Sequence, residues 1–309
     1  MDKLHVEKWA AGLLALVVAT FFVSDPYIAS NFQVVAISAL VAVTLRFVLL
    51  MGELNFATAA FVGLGAYSAG VATTIMDWPF LVAILAGGVA AGLFSIVFGL
   101  ITLRTKGPYF LLIGFAFTEA VRIVYSKLEF LGGNSGMVGI FPPMALDPWM
   151  PMLIVSMCLA LIFGLYVLER SDFGKILVAI RDNENVARTV GINVLFCKVA
   201  CFAIASFVAG IAGSLHAFSN GVISPGDFSF LLAAFALAYV KVGGEERIIG
   251  PVLGAILLVV LSSYMMGLGG KEHIFYGAAI VLAVLFLPKG LTGLAQSLYR
   301  LRRSRGSAT

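Results

Sequence analysis

A carboxylate and a guanidinium, Glu119 and Arg122, stand three residues apart inside the apolar run "PYFLLIGFAFTEAVRIVYS". Residues at i and i+3 share a helix face, so the two side chains can meet. At about 1.5 Å per residue, Glu119 lies roughly 15 Å along a helix counted from Tyr109. That is near the middle of an apolar layer about 30 Å thick, where charge is expensive. Two chemistries fit: an internal ion pair that fixes helix packing, or a polar lining of a solute path. Asn55, Thr58 and Tyr67 bring hydrogen-bonding groups to a second apolar run and are candidates for the same lining. The histidines, His5, His216 and His273, lie near the ends of apolar runs, and no His, Glu or Asp set has the spacing of a metal site or a proton relay. The patterns G-x-S-x-G, H-E-x-x-H and G-x-x-x-x-G-K-[ST] do not occur, so neither those hydrolytic sites nor a P-loop is present.

A different kind of chemistry is offered by "ERSDFGKILVAIRDNENVARTVGINVLFCKVACF", residues 169–202, whose middle is charged in an otherwise apolar chain. Ile176, Ile180, Ala187 and Val190 recur near a helical period, with charges on the other faces. Ser171 or Asp172 can cap a helix start, and Gly191 suits a helix C-terminus. The segment is expected to form one or two short helices outside the bilayer. In a chain without its own ATP-binding motif, such a helix pair is suited to receive motion from a separate motor subunit; the alternative is a solvated loop.

The elements that hold these residues follow from composition. The chain has 309 residues, of which 61% are hydrophobic and 12% charged, with a mean hydropathy of +1.04. Soluble domains carry about 25% charged residues, so most of this chain cannot face water. Apolar segments lie at 9–23, 32–50, 54–75, 79–102, 109–126, 149–168, 199–218, 228–242, 248–266 and 273–288. The expected fold is all-α, a polytopic transmembrane bundle of about ten spans. The opening stretch "MDKLHVEKWAAGLLALVVATFFV" is basic and then apolar without a small-x-small cleavage site, and reads as a retained first span. With both ends inside, 17 of the 20 Lys and Arg residues fall on the cytoplasmic side, and only Arg122, Lys127 and Lys271 fall toward the outside. This places a single transmembrane domain over 1–309, a cytoplasmic loop at 170–198, a basic cytoplasmic tail at 289–309, and a Gly- and Pro-rich outer loop at 127–148. The net charge of +4 follows this membrane pattern and is no sign of nucleic acid. Cys158, Cys197 and Cys201 read as small helix residues.

Small residues recur on single helix faces: Ala59, Gly63, Ala66 and Gly70; Gly88, Gly92, Ser95 and Gly99; Ser206, Gly210, Gly213 and Ala217. They let helix backbones approach closely and imply a compact bundle. "NFATAAFVGLGAY" at 55–67 echoes "SFLLAAFALAY" at 229–239, each after a break, "GELN" at 52–55 and "SPGD" at 224–227. The two lie five spans apart and so run in opposite directions, the expected signature of a five-plus-five inverted repeat.

Four blocks carry a resemblance to a known family. "SDFGKILVAIRDNENVARTVGIN" resembles the coupling loop of bacterial ABC importer permeases, with Gly191 at the Gly of E-A-A-x-x-x-G and Asn185 and Val186 replacing its Glu and first Ala. "GELNFATAAFVGLGAYSAG", "RTKGPYFLLIGFAFTEAVRIV" and "VGGEERIIGPVLGA" are similar, in the same order, to blocks of the LivM-type permease subunits of importers for branched-chain amino acids. The resemblance spans about residues 30–295. It departs at Thr58, where that family has His, and at Glu246 and Arg247, where it has Gly and a small residue.

The resemblance implies a bacterial inner-membrane permease subunit for branched-chain amino acids. It also implies a second, LivH-like permease subunit, two ATPase subunits and an extracytoplasmic solute-binding protein. No cofactor is implied in this chain; ATP and Mg would sit in the ATPase partners. Arg181, Asp182, Ala187 and Gly191 become the candidates for ATPase coupling. The rival reading is a self-sufficient channel or secondary transporter for a small polar solute such as urea or an amide.

Overall fold

A computed structural model describes residues 25–265 except 106, together with 277, 281 and 290–293. The expected span at 9–23 lies outside the described residues, as do the span at 273–288 and the basic tail apart from those few positions. In chain order the helices are α1 (Pro26–Leu49), α2 (Thr58–Thr74), α3 (Phe80–Thr102), α4 (Pro108–Lys127), α5 (Met150–Arg170), α6 (Asp172–Asp182), α7 (Glu184–Thr189), α8 (Val194–Asn220), α9 (Phe230–Gly243) and α10 (Ile249–Met265). Their starts follow local chemistry. Asp25 caps α1 by accepting from the Tyr27 N–H at 3.0 Å, and Pro26 follows at the first helical position. Pro108 opens α4 in the same way, after Gly107 at φ +61°.

Among the described residues, five helices are long and apolar enough to cross a membrane: α1, α3, α4, α5 with its preceding turn, and α8. The apolar α9 and α10 are shorter, with 14 and 17 residues, and α2 has 17. A span needs about 20 residues, so α2 and α9 each cover only part of the layer on their own. The 127–148 loop is not wholly irregular. A two-residue strand, β1 (Met137–Val138), pairs antiparallel with β2 (Val222–Ile223), just after α8. This small ribbon departs from the all-α expectation; two-residue strands carry too little pattern to be read from sequence.

The core is formed where α2, α3 and α8 cross. A Cβ at Gly65 would land on the backbone of Gly210, and one at Gly213 on the carbonyl of Val62. The buried Ser214 hydroxyl lies 3.2 Å from the Gly65 carbonyl oxygen and 3.0 Å from that of Gly210. All three small-residue stripes therefore meet at α8, Ala66 against Gly213 and Gly88 against Gly210, and the tightest point also uses Gly65 and Gly87, which lie off those stripes. Phe61, Phe98, Phe110, Phe117 and Phe202 fill the space toward the start of α8, with ring centroids 4.3 to 6.0 Å apart.

Arg46, 2% exposed, ties the other half together. Its guanidinium makes a two-pronged pair with Glu169 at 2.7 and 2.8 Å, and donates to the carbonyl oxygens of Glu245 and Glu246 at 2.8 and 3.1 Å. The ends of α1 and α5 and the α9–α10 turn thus share one cation. Glu246 is one of the two departures from the resembled block, yet this clamp uses its backbone, which any residue supplies.

Candidate solute path and coupling surface

Two helices begin against the middle of α4. The segment before α2 brings Phe56 to α4, where its carbonyl accepts from the Thr118 hydroxyl at 3.0 Å. A Cβ on Gly114 would lie 3.0 Å from the Ala57 nitrogen, so only a small residue fits there comfortably. The Phe230 N–H at the start of α9 donates to Glu119 Oε1 at 3.2 Å, and the Phe115 and Phe230 rings lie 5.2 Å apart. Gly114 and Glu119 lie about 10 and 18 Å along α4 from Gly107, at about 1.5 Å per residue. From there α2 runs alongside α4, so that Tyr67 stacks on Tyr125 at 4.3 Å. By contrast α9 runs the other way, ending at the Arg46 clamp beside the start of α8, where Cys201 Sγ lies 3.7 Å from the Phe47 carbonyl oxygen.

The candidate path residues divide. Arg122 Nε donates to Glu119 Oε2 at 2.7 Å, so the pair expected from their spacing forms. It is only partly buried, with side-chain exposures of 37% and 24%. The other carboxylate oxygen of Glu119 holds the first turn of α9, a role sequence reading did not foresee. Asn55 and Thr58 are buried and occupied locally: Asn55 Oδ1 accepts from the Ala57 N–H at 2.9 Å, and the Thr58 hydroxyl donates to the Asn55 carbonyl at 3.1 Å. Their polar atoms start a helix. Tyr67 differs. It lines a cavity of about 530 Å³ with Tyr125, Phe117, Val121 and Leu64, and among the described residues the buried hydroxyls of both tyrosines have no hydrogen-bond partner. Asn55, Thr58, Glu119 and Arg122 do not line that cavity.

The 170–198 segment folds as the helix pair α6 and α7. Ser171 precedes α6 but its hydroxyl donates back to the Leu168 carbonyl at 2.7 Å instead of capping forward. Asn183 separates the helices and caps α7, its Oδ1 accepting from the N–H groups of Asn185 and Val186 at 3.1 and 3.2 Å. Gly191 has φ +85°, and the Ile192 N–H reaches back to the Ala187 carbonyl at 3.2 Å, which closes the helix in a left-handed turn. Ile180, Ala187 and Val194 bury together, with Ile176, Ile192 and Cys197 against them. Of the four apolar positions on the expected stripe, Val190 points outward, because α7 is too short for a period to fix its phase. Val186 on α7 and Val190 just after it are exposed, as are Arg181 and Asp182 on the end of α6. Lys175, hydrogen-bonded to Asp172 at 2.7 Å, holds that exposed carboxyl below its ordinary value of 3.8.

The charges missed by sequence reading lie beneath this loop. Lys198, 3% exposed, places Nζ 3.2 Å from Glu53 Oε1 and 3.6 Å from Glu184 Oε2. Glu53, in the "GELN" break, is 4% exposed, and its second oxygen lies 3.4 Å from the Gly107 N–H. Glu184 also takes Arg188 at 2.7 Å. The available signal was a lysine four residues inside the apolar run that starts at Val194.

Residues 27–287 match the model of the family described as branched-chain amino acid transport system / permease component. The chain is 26% identical to the high-affinity branched-chain amino acid transport system permease protein LivM of Escherichia coli (strain K12), over 82% of this chain and 67% of that protein. It is also 29% identical to the L-arabinose ABC transporter permease protein AraH of Azospirillum brasilense, over 80% of this chain and 75% of that protein. Similarity to the xylose transport system permease protein XylH of Escherichia coli (strain K12) is 32% identity over 43% of this chain and 36% of that protein. No solved structure matches.

Proposed function

Because the chain belongs to the family of branched-chain amino acid transport system permease components, we propose that it forms the solute path of a bacterial inner-membrane importer and is driven by separate ATPase subunits through α6 and α7. That it is an integral membrane ABC permease of the LivM type follows from the family and the apolar helices. The solute, the partners and the residue roles are the proposal.

The observation that carries the path is the meeting of two oppositely directed, partial-length helices at the middle of α4. Discontinuous helices that begin inside the layer are the usual walls of transporter sites, and their oppositely directed copies the usual mark of an inverted repeat. The apolar cavity along α2 and α4 suits an aliphatic side chain, although the two orphan tyrosine hydroxyls are themselves closed off from open space. A pentose would need polar partners around every face. Branched-chain amino acids therefore fit better than the sugars named for AraH and XylH. The single domain acts with a LivH-like permease subunit, two ATPases that bind ATP and Mg, and an extracytoplasmic binding protein.

Within the coupling loop, Ala187 seats α7 on its own support, and the outward contact belongs to Val186 and Val190 with Arg181 and Asp182 at the rim. Gly191 fixes where α7 ends. A Cβ there meets nothing within 4 Å among the described residues, so Gly191→Val acts through backbone strain at positive φ and through bulk at the docking surface. The test is purification of the chain from its native membrane, followed by reconstitution. An ATPase should co-purify, leucine should be taken up in preference to xylose or arabinose, and Gly191→Val should lower ATPase recovery and uptake at least severalfold while insertion is retained. Solute flux through the chain alone, with no ATPase, would favour the channel reading. Pentose uptake would overturn the solute assignment only.

A further inference from the structure

We propose that Lys198, Glu53 and Glu184 form a buried ionic link that carries motion of the coupling loop to the broken start of α2; it rests on the permease reading above. Three separate elements meet at one ammonium group. Glu184 is the first residue of α7, in the loop that is expected to face the ATPase. Lys198 stands one turn inside α8, directly after that loop. Glu53 lies in the break whose next residues, Asn55 to Thr58, start α2 at the middle of α4. Glu53 also holds the Gly107 N–H at the entry to α4. One shift of α7 therefore pulls on the start of α2 and on the entry to α4, against which α2 begins.

The chemistry suits a pivot better than a weld. Lysine is a compact charge on a flexible stem, with no fixed fork to hold one geometry. Its distances to the two carboxylates, 3.2 and 3.6 Å, show a cation shared between partners. All three side chains are nearly out of water, at 4%, 6% and 13% exposure. A buried ammonium that leaves one carboxylate must stay with the other, because an unpaired buried charge is strongly disfavoured. Movement of the loop cannot simply break the contacts; it must drag Glu53 or hand the lysine to it. A second contact points the same way. The Arg181 stem packs on Gly52, where a Cβ would lie 3.0 Å from Arg181 Cγ, so the end of α6 rests on the same break. Arg188 balances the second carboxylate at 2.7 Å, leaving two acids and two bases in the cluster.

The experiment uses the whole complex, purified with its ATPase and binding protein and reconstituted in vesicles. Glu184→Gln is compared with the double variant Glu53→Gln/Lys198→Met, which leaves no buried charge without a partner beneath the loop. Both should assemble and keep basal ATP hydrolysis within about twofold, while solute moved per ATP hydrolysed falls at least tenfold; Glu184→Asp should restore most of that ratio. An unchanged ratio in both assembled variants overturns the link. Loss of assembly in both also overturns it, since the charges would then serve docking or packing alone. Failure of the permease reading is seen separately, as a wild-type chain that transports without hydrolysing ATP.

Discussion

Arg46 and Lys198 are the two most deeply buried cations of the described residues, and they are held in opposite ways. Arg46 is gripped by a two-pronged carboxylate and two backbone carbonyls, all at 2.7 to 3.1 Å. Lys198 is shared between two carboxylates at longer range, one of them on the coupling loop. A planar fork fixes angle as well as distance, whereas an ammonium fixes neither. The difference divides the molecule. The α1, α5 and α9–α10 side is a frame locked at one point, and the α2, α4 and α8 side is linked to the loop through a contact that can turn. Buried charge marks both; ligand geometry tells them apart.

The largest expected effect tests the frame. Arg46→Ala strands Glu169 and two carbonyls beneath the α9–α10 turn. Removing one partner of a buried pair costs about 3–5 kcal/mol, a large share of the stability of most domains. The amount of folded, monodisperse protein should fall sharply, and Arg46→Lys should recover only part of it, because a lysine cannot reach four acceptors. If Arg46→Ala folds normally and loses only coupling, the frame and the pivot have been assigned the wrong way round.

A smaller effect is expected at Glu119, between the two regions. Its pair with Arg122 is less enclosed than the Arg46–Glu169 pair and has no further side-chain partner on the guanidinium among the described residues. The Phe230 N–H is the part that matters to the frame. Glu119→Gln keeps an acceptor for that N–H and should leave the protein folded, while Glu119→Ala should lower its folded amount. Uptake by the folded Gln variant then reports on the path. A severalfold loss places the carboxylate where the solute passes, and normal uptake confines it to holding α9. Glu119→Ala that is normal in both amount and uptake defeats both roles.

The frame was more legible in the sequence than the pivot. The five long helices announce themselves by unbroken apolar length, and the breaks at "GELN" and "SPGD" stand out against it. The Glu119–Arg122 pair was legible because three residues on a helix fix its geometry. Lys198 and Glu53 are 145 positions apart, and Arg46 and Glu169 are 123 apart. No local period connects such partners, so nothing in the sequence paired them. Tyr67 was singled out for its type, but its stacking on Tyr125 and their unpartnered hydroxyls exist only once α2 lies along α4. The same limit explains Ala187 and Val190: six residues of α7 cannot reveal which face is covered, and only the packing against Ile180 and Val194 decides it.

The smallest effect is expected at Asp172, which shares a loop with Glu184 and differs from it in burial. Asp172 and Lys175 pair at 2.7 Å in full contact with solvent. The pair lowers the Asp172 pKa, first by the hydrogen bond and then by charge. A carboxyl depressed on folding stabilises above its unfolded value of 3.8, and that contribution is lost only as pH falls through the lower folded value. Nothing from this pair should therefore appear in a stability profile above about pH 5. Water also screens both charges, and the side chains lose little when separated. Asp172→Asn should leave melting temperature, ATPase recovery and solute moved per ATP unchanged within error, while Glu184→Gln in the same assay should not. Equal losses from the two would mean that net loop charge steers the ATPase regardless of depth. The contrast between an exposed pair and a buried link would then fail at the point where it makes its sharpest claim.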